Sequence, residues 1–152
     1  MANGPEIWFY HLERSTLGQV LPGLLEKTRE RGWKAIIRAT ESRALDDIDD
    51  HLWTYRDDSF LAHGRVSEPN AGRQPVLLTE GPENPNAAQA LFIVDGAELG
   101  DTERLERCFI IFDGRDEASL QGARARWKTL KEAGANLAYW KQSPEGRWEK
   151  AA

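Results

Sequence analysis

Two aspartates directly follow apolar segments of the sequence, and a glycine follows each of them. Asp95 comes after residues 90–94, and Asp113 comes after residues 108–112. Carboxylates at the carboxyl ends of buried strands hold metals or act as acids and bases in α/β enzymes. Asp-Gly is also an ordinary turn sequence, and the turns after the candidate strands contain neither G-x-G-x-x-G nor G-x-x-x-x-G-K-[ST]. We therefore expect two turns, with a small metal- or nucleotide-dependent enzyme that uses both aspartates as the alternative.

The other residues that could bind a metal or act as a nucleophile are not arranged to do so. His11, His51 and His63 have no metal-ligand spacing with one another or with Cys108. Cys108 lies in an apolar run, which is typical of a small buried side chain rather than a reactive thiol. The acidic residues within 46–50 belong to an amphipathic pattern that predicts a solvated helix face. The sequence therefore predicts no metal, no cofactor and no catalytic activity.

A basic helix is the segment best suited to binding. Arg124 and Lys128 are one helical turn apart, Lys131 lies a short turn further on, and Trp127 lies beside them. Arginine can hold a carboxylate through two parallel hydrogen bonds, lysine adds a charge, and an indole offers an apolar surface. Such a group suits an acidic peptide with an apolar end. The alternative is that Trp127 packs in the core and the cations only solvate the helix, and the pattern alone favours neither.

The elements that would position these residues alternate between strands and helices. Apolar residues at helical spacing predict helices from an N-cap at Ser15-Thr16 to near Gly32, over 41–53 and over 116–133. Strands are predicted at 6–12, 33–38, 76–79, 90–94, 108–112 and 136–140. This order predicts an α/β fold: a Rossmann-like, doubly wound, mostly parallel sheet with helices on both faces.

Length and composition predict one domain. A chain of 152 residues that is 40% hydrophobic has the size of a typical globular domain, so we expect one domain over 1–152, with 141–152 as a C-terminal tail. Prolines and glycines between 57 and 86 predict loops. No apolar run approaches the roughly 20 residues that span a bilayer, and the first residues do not form a leader sequence, so we expect a cytoplasmic protein without membrane contact.

Charge is unevenly distributed along the chain. Residues 1–114 have a net charge of −8, residues 115–152 have a net charge of +3, and the whole chain has −5. An acidic body repels DNA phosphates, so we expect contact with DNA only through a partner protein. The six tryptophans leave direct stacking on single-stranded DNA as a further alternative.

Several short segments form an ordered series along the chain. The first are Phe9-Tyr10, Leu52-Trp53, Ser59-Phe60 followed by His63, and Pro75-Val76. The C-terminal ones are Ala125-Arg126-Trp127-Lys128, the turn at Gly134, Leu137-Ala138-Tyr139-Trp140-Lys141-Gln142 and Gly146-Arg147-Trp148. In their order and approximate spacing, these segments resemble the chi subunit family of bacterial DNA polymerase III. The resemblance spans nearly the whole chain.

The resemblance implies a non-catalytic accessory subunit of the clamp-loader assembly in DNA replication, with a Rossmann-like fold. Such a subunit links the replicase to single-stranded-DNA-binding protein by holding its acidic C-terminal tail. The family's tail pocket corresponds here to Arg124, Trp127 and Lys128, and helical spacing adds Lys131. A second family surface, for the psi subunit or a competing helicase, corresponds to Trp53 and Phe60. The chain departs from the family at Asp113, near an apolar contact of the better-known members.

Overall fold

The computed structural model describes residues 4–54, 63–65, 71–100, 102 and 104–152. Its elements, in chain order, are β1 (Glu6–Leu12), α1 (Leu17–Glu30), β2 (Ala35–Arg38), α2 (Ser42–Thr54), β3 (Gly64–Arg65), a 3-10 turn (Ala71–Arg73), β4 (Val76–Thr79), β5 (Ala90–Ile93), β6 (Arg107–Asp113), α3 (Glu117–Glu132), β7 (Asn136–Gln142) and β8 (Trp148–Lys150).

The described strands form one sheet in the order β3-β4-β2-β5-β6-β1-β7-β8. Every neighbouring pair is parallel except β7 and β8, which are antiparallel. The strands β2, β4 and β5 are buried along their whole length. Their apolar sequences do not alternate with polar residues because both faces of the sheet are covered. The predicted α/β fold with a mostly parallel sheet is therefore confirmed.

Helices cover both faces of the sheet. Leu25 of α1 and Leu45 of α2 belong to one core cluster with Phe92 of β5. Ala123 of α3 belongs to a second cluster with Phe9 of β1, on the opposite face. No helix in the described part of the chain is both long enough and apolar enough to cross a bilayer.

The segment 141–152 completes the sheet. β7 continues to Gln142, and β8 returns antiparallel beside it. Beyond β8, the Ala151 N–H donates to the Tyr139 carbonyl at 2.7 Å, and the Tyr139 N–H donates to the Ala152 carbonyl at 3.1 Å. The sequence predicted β7 but not β8. The last residues described are thus held against the strand that carries Tyr139.

A proline inside α1 is compensated by a contact from α2. Thr16 caps α1, since its hydroxyl accepts from the Gln19 N–H and the Gln19 side chain accepts from the Thr16 N–H. Pro22 has no N–H to donate to the Gly18 carbonyl four residues earlier. Nε2 of His51 in α2 lies 2.6 Å from that carbonyl and donates to it. The proline therefore leaves an acceptor through which α2 is joined to α1.

Candidate functional site

The basic residues of α3 lie on an exposed side of the helix. Asp116 caps the helix, and its carboxylate accepts a hydrogen bond from the Ser119 N–H at 3.0 Å. Positions 124, 128 and 131 are separated by four and three residues, so their side chains share one side of the helix. All three are exposed: Arg124, Lys128 and Lys131. With Trp127, they are called the α3 basic face below.

Arg126 lies between these residues in sequence but has a different role. Its Nη1 donates to the Ala97 carbonyl at 2.8 Å, and its Nη2 donates to the Gly96 carbonyl at 3.2 Å. The guanidinium therefore fastens α3 to the loop after β5. Arg126 is partly buried, unlike Arg124, which excludes it from the exposed basic group.

Trp127 is partly buried and packs in the core cluster under α3. Its ring meets Phe9 edge-on at a centroid distance of 5.2 Å and Tyr139 at 5.6 Å, with an interplanar angle of 82° to Tyr139. The indole is thus neither free in solvent nor fully enclosed. The sequence allowed two interpretations of Trp127: a core residue, or an apolar surface beside the cations. One part of the side chain packs in the core, and another part is exposed.

A polar cluster beside Trp127 was not predicted from the sequence. The Tyr139 hydroxyl lies 2.6 Å from Nδ1 of His11. On the other side of the imidazole, Nε2 lies 3.1 Å from Oε1 of Glu13, and the same oxygen lies 3.5 Å from Nζ of Lys141. Alternation along β7 places residues 137, 139 and 141 on the α3 side of the sheet. The alternation of side chains along residues 136–142 is the sequence feature that could have predicted this surface beside the basic helix.

The charge of Arg124 reaches this cluster. Burial lowers the pKa of His11, the Glu13 carboxylate opposes that effect, and the positive charges of Lys141 and Arg124 add to it. Burial raises the pKa of the Tyr139 hydroxyl, while the charge of Arg124 lowers it. The charge of Arg124, one residue of the α3 basic face, therefore affects both His11 and Tyr139.

The two strand-end aspartates line one cavity of about 600 Å³ at the carboxyl ends of β1, β5 and β6. Each carboxylate already has partners. Asp95 accepts from the Thr40 N–H at 2.8 Å and from the Thr40 hydroxyl at 3.1 Å. Asp113 accepts from the Arg115 N–H and from Nε, both at 2.9 Å, and these bonds hold the pKa of its carboxyl below the usual range. Asp113 therefore fixes its own turn, and Asp95 joins the end of β5 to the segment after β2.

The other candidate chemical groups are dispersed or buried. Among the residues that the structure describes, no three His, Cys, Asp or Glu side chains are grouped to hold a metal ion. Cys108 is fully buried, and burial raises the pKa of its thiol to about 12. The prediction of a small buried side chain at this position is confirmed.

The second predicted surface is described only at Trp53. This residue lies in the last turn of α2 and is 54% exposed. Its ring lies 4.5 Å from the imidazole of His63, whose Nε2 contacts Oδ1 of Asp49 at 2.7 Å. Phe60, its predicted neighbour, lies outside the described residues. The exposed indole of Trp53 therefore packs against a buried histidine.

Comparisons with known proteins agree on one family. The family model described as "DNA polymerase III chi subunit, HolC" matches residues 5–138 of the chain. A relative from Rickettsia prowazekii (strain Madrid E), described as a probable DNA polymerase III subunit chi, is 25% identical over 103 residues. That match covers 68% of the chain and 62% of the relative. The α3 basic face lies within the residues that the family model matches.

Proposed function

Because the chain belongs to the family of DNA polymerase III chi subunits, which act in DNA replication, we propose that it is a non-catalytic accessory subunit of the replicase. In this role it links the clamp loader to single-stranded-DNA-binding protein. The α3 basic face of the chain binds the acidic C-terminal tail of that protein.

The observation that supports this proposal most strongly is the exposure of three cations on one side of α3. Arg124, Lys128 and Lys131 project into solvent, and none forms a salt bridge with a residue in the described part of the chain. Their charges are therefore available to a ligand. A peptide with several carboxylates complements such a surface, and a flanking indole can receive an apolar end group.

The expected affinity is modest. A short peptide held on an exposed surface should bind on the order of micromolar, about −8 kcal/mol. Each exposed ion pair contributes only about 0–1 kcal/mol and is screened by salt. The apolar contact with Trp127 should therefore provide much of the affinity that remains at high ionic strength. Weak binding suits a link that must exchange between partners.

Trp53 supports a second contact surface. A large aromatic side chain that is 54% exposed is a suitable anchor for a protein partner. We propose that this surface, together with Phe60, receives the psi subunit, the clamp loader or a helicase. Trp53→Ala should weaken that contact and leave binding of the acidic tail unchanged, as measured by separate pull-down and peptide-binding assays.

The tail-binding proposal is tested by fluorescence anisotropy with a dye-labelled acidic peptide ending in Pro-Phe, at low and high salt. We expect saturable binding that weakens with salt and falls by up to about fivefold in Arg124→Ala, because an exposed ion pair of about 0–1 kcal/mol is lost. Arg43→Ala is the matched control, since it removes an exposed arginine from α2 and should leave binding unchanged. Equal losses in both variants would show that only net charge matters.

The enzyme alternative has its own measurement. If Asp95 and Asp113 hold a catalytic cation, Mg²⁺ or Mn²⁺ should raise the thermal midpoint of the protein with increasing concentration. Asp113→Asn should remove that shift. If neither cation changes the thermal midpoint, the hypothesis of a metal-dependent enzyme is rejected.

A further inference from the structure

We propose that Tyr139 of β7 is a binding residue of the tail site, forming the apolar floor that receives the tail's terminal side chain, and that His11 positions its ring. This inference rests on the proposed function and extends the site from α3 to the neighbouring strand. The pocket then lies between α3 and the face of the sheet at β7 rather than on the helix alone.

The arrangement of the two rings supports this extension. Trp127 and Tyr139 are both partly exposed, and their rings meet at 82° with centroids 5.6 Å apart. Because the rings are nearly perpendicular, Trp127 and Tyr139 form two walls of a recess, called the Trp127–Tyr139 corner below. An apolar group placed there contacts both rings, whereas Trp127 alone offers only the part of its surface that Phe9 and Tyr139 leave open.

The charges around the corner suit a chain terminus. Arg124 lies on the exposed side of α3, and its charge lowers the pKa of the Tyr139 hydroxyl, while burial and the charge of Glu13 raise it. Lys141 lies two residues beyond Tyr139 on the same side of β7, and its contact partner Glu13 is 3.5 Å away. Because both members of that pair are partly exposed, the contact is weak and a ligand carboxylate can compete for the lysine. A terminal carboxylate would thus have a cation on each side.

Tyr139 is held in place before any ligand binds. Its hydroxyl is hydrogen-bonded to His11 at 2.6 Å, and its backbone N–H and carbonyl are bonded to residues 151 and 152. His11 is itself buried and lies against Phe112 at a centroid distance of 5.0 Å. A ring fixed in this way loses little freedom on binding, which favours affinity for a small terminal side chain.

The test is a double-mutant cycle between the protein and the peptide. Two labelled acidic peptides are compared that differ only in the last residue, Phe or Ala. Tyr139→Ala should weaken binding of the Phe peptide about tenfold and change binding of the Ala peptide much less, because only the former has a ring for the corner. Arg124→Ala should weaken both peptides by similar factors.

Two further variants control for folding. Tyr139→Phe keeps the ring and loses the hydroxyl, so it should retain the preference for the Phe peptide. Trp148→Ala removes a partly exposed aromatic side chain that packs with Tyr10 on the opposite face of the sheet, and it should leave the preference unchanged. If Tyr139→Ala does not fold, Tyr139→Thr, which suits a strand, takes its place.

The outcomes separate this inference from the proposed function. If Arg124→Ala weakens binding while Tyr139→Ala affects both peptides equally or neither, the tail site remains and the Tyr139 floor is wrong. If the wild-type chain binds neither peptide, the tail function is wrong and the floor with it. If the wild-type chain binds both peptides equally, the terminal side chain does not contact Trp127 and Tyr139, and the proposed floor is wrong.

Discussion

Gly114 lies so close to the imidazole of His11 that position 114 has no room for a side chain. A Cβ atom at position 114 would overlap Nε2 and Cδ2 of His11. Gly114→Ala must therefore displace the ring that is hydrogen-bonded to Tyr139. We expect a loss of about 1–3 kcal/mol in the free energy of unfolding, as for other overpacked sites, measured by urea denaturation.

The matched control is Gly122→Ala. Gly122 lies within α3 in open space, so alanine there should stabilise the protein by about 0.5–1 kcal/mol through its helix propensity. Opposite signs for the two substitutions are the expected result. A neutral Gly114→Ala would mean that His11 can move without cost, which would weaken its assignment as a positioning residue.

His11 should make the protein less stable in mild acid. Burial is the main cause of its lowered pKa, and it is opposed by Glu13 and assisted by Lys141 and Arg124. Below about pH 6.5 the unfolded chain binds a proton at this residue while the folded chain does not, so protonation favours unfolding. Stability is therefore lost as the pH falls from that value towards the lower folded pKa.

The urea midpoint should accordingly fall more steeply with decreasing pH in wild type than in His11→Gln. The comparison uses slopes because the substitution also changes stability at every pH by removing the bond to Tyr139. Parallel slopes in this range would show that His11 is accessible to protons in the folded state.

The exposed cations of α3 could be predicted from the sequence, and their neighbours could not. Spacing of four and three residues predicted that Arg124, Lys128 and Lys131 share a side, and the structure places all three in solvent. The contact of His11 with Tyr139 joins residues 128 positions apart. It depends on the pairing of β1 with β7, which local spacing does not determine.

At the scale of elements, α1 and α2 pack in one core cluster and are also joined by a hydrogen bond from His51 to the Gly18 carbonyl. Pro22 leaves the Gly18 carbonyl without a helical donor, and His51 supplies the donor. His51→Ala should cost about 1–3 kcal/mol because a partly buried acceptor loses its partner. Adding Pro22→Ala restores an N–H to the helix and should recover part of that loss.

This coupling can be measured as the interaction free energy of a double-mutant cycle from urea denaturation. Pro22→Ala should stabilise the His51→Ala background more than it stabilises wild type. Additive effects would mean that the Gly18 carbonyl finds water or another donor in the single variant.

The strands and helices were largely predictable because their sequences are unambiguous. Continuous apolar runs predicted the buried strands β5 and β6, and helical spacing predicted α3 within a few residues. β8 was missed because a three-residue edge strand has too few residues to show alternation. Its position is determined by pairing with β7 and not by its own sequence.

At the scale of the whole molecule, the distribution of charge separates two kinds of contact. The net charge of −8 over residues 1–114 opposes the approach of DNA phosphates, while the C-terminal part, with +3, contains the α3 basic face. A chain of this kind should reach single-stranded DNA through a protein bound to it. The six tryptophans do not require a stacking role, since five of them lie at least partly buried in the described structure.

The most direct test measures binding of the full chain to labelled single-stranded DNA in three states. These are bare DNA, DNA coated with single-stranded-DNA-binding protein, and DNA coated with the same protein lacking its acidic C-terminal tail. We expect binding only to the coat with intact tails, weakened by up to about fivefold by Arg124→Ala and unchanged by Arg43→Ala. Equal binding to bare DNA, or to the coat without tails, would contradict tail docking as the function of this chain.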